Sequence, residues 1–437
     1  MATWHNWART EAATPYRFET PGTVDELVSV VGRSADDGSR LKAVGAGHSF
    51  TGVAVTDGTL VSLDRISGIE SVEATATGAD VTVRAGTRLR ELNALLWERG
   101  LALANLGDID AQSIAGAIST GTHGTGAQFG GLAAQVRGAT LVLADGSVVQ
   151  CSPTRDPALF EAARLGLGAV GILVTVTLAC VPAFRLHAEE APASLRDTLD
   201  RLDDERLGID HFEFYWFPHT ERVLTKRNTR LPGAAPTEPV GRIRGFVDDE
   251  VLSNGVFGAF QQLGTRVPAL IPGLNSVSAR ALAPRRFTDR SYRVFASARR
   301  VRFREMEYAV PTEALPTVLA EIDTWIRRSD TRIGFPVEVR FASADDVWLS
   351  TAYGRDTAYV AVHQYHRREH DAYFAATEAI ACAVGGRPHW GKLHDRTADD
   401  LRPAYPRFDD FLAVRDRVDP QRVFGNAYLQ RVLGEDS

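Results

Sequence analysis

The sequence predicts an α+β fold, and three observations carry that prediction. Strand-like and helix-like runs mix through the first third of the chain without the regular βαβ rhythm of a doubly wound sheet. A tight-turn dipeptide, Asp145-Gly146, separates two β-branched runs. After Pro182 the texture changes to longer helical segments separated by strands. With 437 residues the chain can hold two domains, and the change of texture places a boundary near residue 182.

The elements follow in chain order. Leu60–Leu63 and Val81–Arg84 read as strands, and Thr87–Leu101 carries leucines at Leu89, Leu92, Leu95 and Leu96, the spacing of a helix face. Thr140–Leu143 and Val148–Gln150 flank Asp145-Gly146, predicting a hairpin whose two central residues take positive φ. Ile172–Leu178 reads as a buried strand. Leu195–Leu207, Thr312–Arg328 and Asp371–Val384 read as helices, and His211–Trp216 as a strand. Asn228–Gly241 and Pro268–Pro272, rich in proline, read as loops.

Composition narrows the class. Apolar residues at 44% and charged residues at 24% are the balance of a globular protein, and a net charge of -6 argues against nucleic acid as a partner. No apolar run is long enough to predict a membrane span, and the first residues lack a signal-peptide pattern. Three widely spaced cysteines, Cys151, Cys180 and Cys382, argue against a disulfide framework and for a reducing, cytoplasmic setting.

Chemistry concentrates in two glycine-rich stretches. The first is Val44-Gly45-Ala46-Gly47-His48-Ser49-Phe50. A dinucleotide-binding Gly-x-Gly-x-x-Gly loop needs a third glycine where Phe50 stands, and the β-branched residues that follow do not start a helix. A loop of this kind can instead hold phosphates on successive backbone N–H groups. The second runs from Gly107-Asp108 through Ser113 and Gly116 to Gly121-Thr122-His123-Gly124-Thr125-Gly126, where small side chains let backbone lie against an extended ligand. Two such loops imply one large ligand.

These segments resemble those of the FAD-linked oxidases of the vanillyl-alcohol oxidase fold, in the sugar-1,4-lactone oxidase branch. Phe335-Pro336-Val337-Glu338-Val339-Arg340-Phe341 and Arg387-Pro388-His389-Trp390-Gly391-Lys392 add to the likeness, which runs over nearly the whole chain. The resemblance implies an FAD-binding domain over residues 1–182, a substrate cap over 183–380 and a segment, 381–437, returning to the first domain. It implies FAD held by Val44, Gly45, Ala46, Gly47, His48, Ser49, Gly107, Asp108, Ser113, Gly116, Gly121, His123, Gly124, Thr125, Gly171, Ile172, His389 and Lys392. It also implies a covalent bond from His48 to the 8α-methyl of the flavin.

By the same resemblance the reaction is oxidation of a CH–OH group of a sugar-1,4-lactone, with hydride passing to the flavin and electrons onward to dioxygen or another acceptor. A polyol such as xylitol or sorbitol is the alternative substrate, and a silent flavin- or sugar-binding protein the alternative of another class. Glu338 and Arg340, two apart on an apparent strand, share a face and by the resemblance would bind substrate hydroxyls; the sequence alone favours an ordinary cross-strand ion pair on a solvated sheet. Lys392 would stabilise negative charge on the reduced flavin, and either Glu338 or His363 would serve as base. His366-Arg367-Arg368-Glu369-His370 matches a zinc-peptidase spacing, but its charged setting and lack of a third ligand predict no metal site.

Overall fold

The computed structural model describes residues 3–239, 255, 257–297 and 301–434, and contains three principal sheets. A small parallel sheet takes the order Arg17–Glu19, Thr59–Ser62, Leu41–Val44. A six-stranded antiparallel sheet follows Val148–Cys151, Val136–Val142, Ile172–Pro182, Gly78–Arg84, Ile69–Thr75, with Leu101–Leu103 pairing the far end of Ile172–Pro182. The central strand is buried over Ile172–Val176, with Thr175 its one polar residue there, because it is covered on both faces.

The third sheet has eight antiparallel strands, in the order Arg285–Arg290, Phe184–Ser194, Arg222–Pro232, His211–Trp216, Val337–Ala342, Thr357–Tyr365, Phe303–Pro311, Arg387–Pro388. Its pleat sorts the sequence into two faces. Phe212, Phe214, Trp216, Val337, Val339, Phe341, Met306, Tyr308, Val310, Val360 and Val362 form one core with the helices Leu315–Arg328 and Asp371–Ala383. The first helix contributes Leu315, Val318, Leu319, Ile322 and Ile326, a helical stripe whose members each stabilise by about 1.5–3 kcal/mol when buried. The intervening residues, Glu213, Tyr215, Glu305, Glu307, Glu338, Arg340, Tyr359 and His363, fall on the opposite face.

A second core joins the six-stranded sheet to residues from far down the chain, including Val347, Leu349, Trp390, Phe408, Phe411, Phe424 and Leu429. Asn426 ties this segment to the loop after the glycine turn, its Nδ2 donating to the carbonyls of Gly52, Val53 and Val55 at 2.9, 3.2 and 2.9 Å.

Several expectations change in detail. The hairpin at Asp145-Gly146 forms, but only Gly146 has positive φ (82°); Gly146 N–H bonds Leu143 and Leu143 N–H bonds Ser147, giving a three-residue loop with a glycine bulge. The expected helix at Leu195–Leu207 divides into Leu195–Asp200 and Leu202–Gly208, broken at Arg201. The expected loop from Asn228 begins as strand through Pro232, and its last two residues lie outside the described ones. Pro268–Pro272 is no loop: Pro268 and Pro272 each sit in the first turn of a helix, where the missing N–H has no partner to lose.

Candidate active site

The glycine loop Gly45–Thr51 leaves the strand Leu41–Val44 and passes into a single 3-10 turn, Gly52–Ala54, so no α-helix follows it. Gly47 has φ of 69°, a conformation open to glycine. Gly45 is required for a different reason. A Cβ there would lie 2.4 Å from Ser113 Oγ, because the loop packs on the helix Ile114–Ser119, whose cap is Ser113 accepting from Gly116 N–H. Together these residues line a channel: Val44, Gly45, Ala46, Gly47, His48 and Ser49 on one side, Ser113 and Gly116 on a second, Gly171 and Ile172 on a third. Backbone amides and small side chains, converging from three stretches of sequence, fit an extended dinucleotide such as FAD. Gly45→Ala is expected to lose bound flavin, read as the ratio of visible to 280 nm absorbance, and Gly45→Ala with Ser113→Ala to regain part of it; full flavin content in the single variant would show that the close approach is dispensable.

The remaining sequence-predicted cofactor residues, Gly107, Asp108, Gly121, His123, Gly124, Thr125, His389 and Lys392, are absent from that lining; Gly121 packs on Leu165, while Asp108, His123, Thr125, His389 and Lys392 lie along the seam with the eight-stranded sheet. Thr125 Oγ1 bonds the carbonyl of Phe212 and accepts from Phe341 N–H at 3.2 Å, and Gly126 N–H donates to Phe341 at 2.9 Å. His123 stacks on Tyr359 with ring centroids 3.5 Å apart, and its Nε2 stands 3.2 Å from Glu307. Gly107 packs so closely on this loop that a Cβ would be 3.1 Å from the carbonyl oxygen of His123.

Lys392 is brought to the site by bonds to the carbonyls of the residues before it: Phe50 N–H donates to Gly391 at 2.7 Å, and the Thr51 hydroxyl to Trp390 at 3.1 Å. Its Nζ lies 2.5 Å from Glu305 and 5.2 Å from the centre of the Phe50 ring. Burial alone would lower the ammonium's pKa, but Glu305 and Glu307 carry it above the ordinary lysine value, so the charge is retained. Burial would raise Glu305 as well; Lys392 and His363 instead pull it down to about 2. His48 behaves in the opposite way. Burial, then Lys392 and Arg88, lower it to about 4, leaving a neutral imidazole stacked on Trp7.

Glu338 and Arg340 are buried and form a network that sequence reasoning underestimated. Arg340 Nε donates to Glu213 at 3.0 Å, and Nη2 pairs with Glu338 and, at 3.5 Å, with Asp108. Tyr215 O–H donates to Glu338 at 2.8 Å, and Lys226 Nζ lies 3.2 Å from Glu213. Burial works against the guanidinium charge, but Glu338, Asp108 and Glu213 together raise its pKa well above the usual value. The geometry is that of a fixed, buried charge cluster, which excludes the solvated-surface reading of this pair.

His363 donates through Nδ1 to the carbonyl of Pro336 at 3.2 Å, and its Nε2 stands 3.5 Å from Glu305. Phe303 and Phe335 pack against its ring. Glu213, Tyr215, Glu305 and Glu307 were missed as site residues. Their signal was present as single polar residues alternating with apolar ones in His211–Trp216 and Phe303–Pro311.

His123, Glu307 and His389 bring three potential ligand atoms within 4.8 Å of one another. The donor set does not suit a metal. A ligating histidine donates its other ring N–H to an acceptor, whereas His389 Nδ1 accepts from Gly391 N–H at 3.0 Å, leaving the proton on Nε2. Glu307 instead takes His123 Nε2 as its side-chain partner at 3.2 Å, while its carbonyl accepts from the His389 N–H at 2.9 Å. In the zinc-peptidase spacing His370 Nδ1 faces the Arg304 guanidinium at 3.0 Å, and His366 Nε2 accepts from Arg367 at 3.3 Å.

Comparison with known proteins agrees with this geometry. Residues 176–432 match the D-arabinono-1,4-lactone oxidase family model, and residues 15–152 an FAD binding domain. The chain is 44% identical over 434 residues to an L-gulono-1,4-lactone dehydrogenase of Mycobacterium tuberculosis, covering 99% of each. It is 33% identical over 437 residues to an L-gulonolactone oxidase of Bos taurus, covering 98% of this chain and 97% of the other. A cholesterol oxidase from B. sterolicum superposes with a TM-score of 0.79 at 19% identity, covering 99% of this chain and 96% of that one, a likeness of fold. The glycine channel and the charged sheet face thus belong to an FAD-dependent oxidoreductase of the vanillyl-alcohol oxidase fold, and the chain is a member of the sugar-1,4-lactone oxidase family.

Proposed function

We propose that the protein oxidises a ring CH–OH of a sugar-1,4-lactone to the ketone, with FAD bound in the glycine channel and linked covalently through His48. The observation that carries this reading is the convergence of His48, Lys392 and the Glu338–Arg340 network on one seam, from three distant parts of the chain. The relatives' names supply the substrate class. Residues 1–182 and 381–437 act as the FAD-binding unit and 183–380 as the cap.

FAD, when bound, supplies the two-electron acceptor for the hydride leaving carbon. The chain's own residues do the rest. Glu338 and Arg340, rigid in their network, hold the lactone hydroxyls and so fix which carbon faces the cofactor. His363 Nε2 accepts the hydroxyl proton, its ring held by the bond from Nδ1 to the carbonyl of Pro336. Lys392 places a permanent positive charge where negative charge develops. A neutral His48 has the ring lone pair that bonding to a flavin methyl requires.

The test uses the intact purified protein. Mass spectrometry of the denatured chain should show an excess equal to one FAD, absent in His48→Ala. Anaerobic bleaching should follow L-gulono-1,4-lactone and not xylitol or sorbitol, and His363→Gln should slow bleaching far more than it weakens lactone binding. Bleaching by the alditols alone would assign the other substrate class. No bleaching by any of them would leave a flavin carrier. Repeating turnover with and without dioxygen identifies the acceptor.

A further inference from the structure

Among the described residues nine large apolar side chains are exposed, and four of them, Leu263, Val267, Leu270 and Val277, belong to one helical hairpin. It consists of Phe257–Arg266 and Ile271–Ala281, joined by the turn Pro268–Leu270. The helices meet so closely at Gly264 that a Cβ there would be 2.8 Å from Ile271.

The hairpin's inner side is anchored. Gln261 Nε2 donates to the carbonyl of Gly334 at 2.8 Å, and Asn275 Nδ2 donates to those of Pro218 and Ile333 at 2.9 and 2.8 Å. Its outer side is the anomaly. Leu263, Val267 and Leu270, at the turn, are 41, 44 and 44% exposed, and Val277 is 55% exposed. These side chains are held outward by a framework that is itself fixed, so they do not result from a poorly packed helix pair.

Charge decides what would cover them. Between Val251 and Thr288 the sequence has no Asp or Glu, although the chain as a whole carries 55 acidic residues against 49 basic. The exposed charges on the hairpin are Arg266 and Arg280. An apolar outer face with Arg266 at the turn, Arg280 three residues past Val277, and no Asp or Glu within the hairpin itself suits insertion below the phosphates of an anionic bilayer surface. A second copy of the chain fits less well, because a twofold contact sets like patch on like patch and brings arginines together. No helix is long and apolar enough to cross a membrane, so the contact is one of docking on the surface.

We infer that the hairpin Phe257–Ala281 is a peripheral membrane-docking device that inserts Leu263, Val267 and Leu270 into an anionic lipid surface. The anchors give this a structural consequence: Gly334 and Phe335 adjoin Pro336 and His363, so the docked protein would hold its proposed substrate side close to the bilayer.

The test is co-sedimentation of the flavin-loaded protein with vesicles of phosphatidylcholine alone or mixed equally with phosphatidylglycerol. Wild type should pellet with the mixed vesicles at low salt and be released by 0.5 M NaCl. Val267→Ser with Leu270→Ser should weaken binding by about tenfold or more. Arg266→Gln with Arg280→Gln should weaken it by about fivefold per arginine on the mixed vesicles, without effect on phosphatidylcholine. Flavin content and lactone oxidation should be unchanged in both variants, which establishes that they are folded. Equal pelleting of wild type and the Ser variant, or none at either salt, overturns the proposal. So does light scattering that finds a wild-type dimer which the Ser substitutions dissociate, since the second copy would then be the occupant.

Discussion

Lys392→Met is expected to lower the rate of lactone oxidation by about 10²–10³-fold, the usual cost of removing one preorganised electrostatic stabiliser. The backbone beside Lys392 is held by the Phe50 N–H and the Thr51 hydroxyl, which bond the carbonyls of Gly391 and Trp390, so the substitution leaves the surrounding backbone in place. The ammonium acts on developing charge, so kcat and kcat/KM should fall together, with flavin content unchanged. Lys392→Arg should recover a part of the rate, since charge is restored but the compact contact with Glu305 is not. A raised KM with unaltered kcat would instead make Lys392 a substrate-binding group and remove it from the chemical step.

Arg340→Met should cost more in stability than any other single change in the site. It leaves Glu213, Glu338 and Asp108 without their shared guanidinium, while Lys226 stays 3.2 Å from Glu213. Breaking a buried ion pair from one side costs about 3–5 kcal/mol, because the surviving charges keep their desolvation penalty without its compensation. The sign of the pH dependence follows from Glu213. Its burial favours the neutral acid, yet Lys226 and Arg340 hold its pKa below the usual range. In the wild type this stabilises the fold above pH ~4.5 and fades as pH falls through the folded value. The deficit of the variant should therefore be largest at neutral pH and shrink toward pH ~4. Urea midpoints measured across that range provide the check, and Glu213→Gln added to Arg340→Met should restore part of the loss at pH 7. A pH-independent midpoint equal to that of the wild type would mean that the network carries no net energy.

The sequence showed more of the fold than of the charge network. Periodicity located His211–Trp216, Ile172–Leu178 and the helix after Asp371 because each has a single buried face or is buried throughout. Proline misled at Pro268–Pro272, where a residue that ends helices was beginning one. In the site, the glycine loop was legible because only glycine tolerates its backbone and the approach of Ser113. Glu305 and Glu307 were not, since a glutamate every second residue reads as a solvated face until His123, His389 and Lys392 are seen to pack against it. Arg340 was legible as a partner of Glu338, while Glu213 and Asp108 came from strands and loops more than a hundred residues away.

Asn426 and the segment Trp390–Gly391 complete the glycine loop from the other end of the sequence. During synthesis, residues 1–182 leave the ribosome more than two hundred residues before Trp390 does, at about 5–20 residues per second. For that interval the carbonyls of Gly52, Val53 and Val55 lack their amide donor, and the apolar bed for Phe411 and Phe424 stays open to water. The nascent amino-terminal half should therefore depend on chaperone shielding, with a competent nucleotide cleft arising only once translation has passed Asn426.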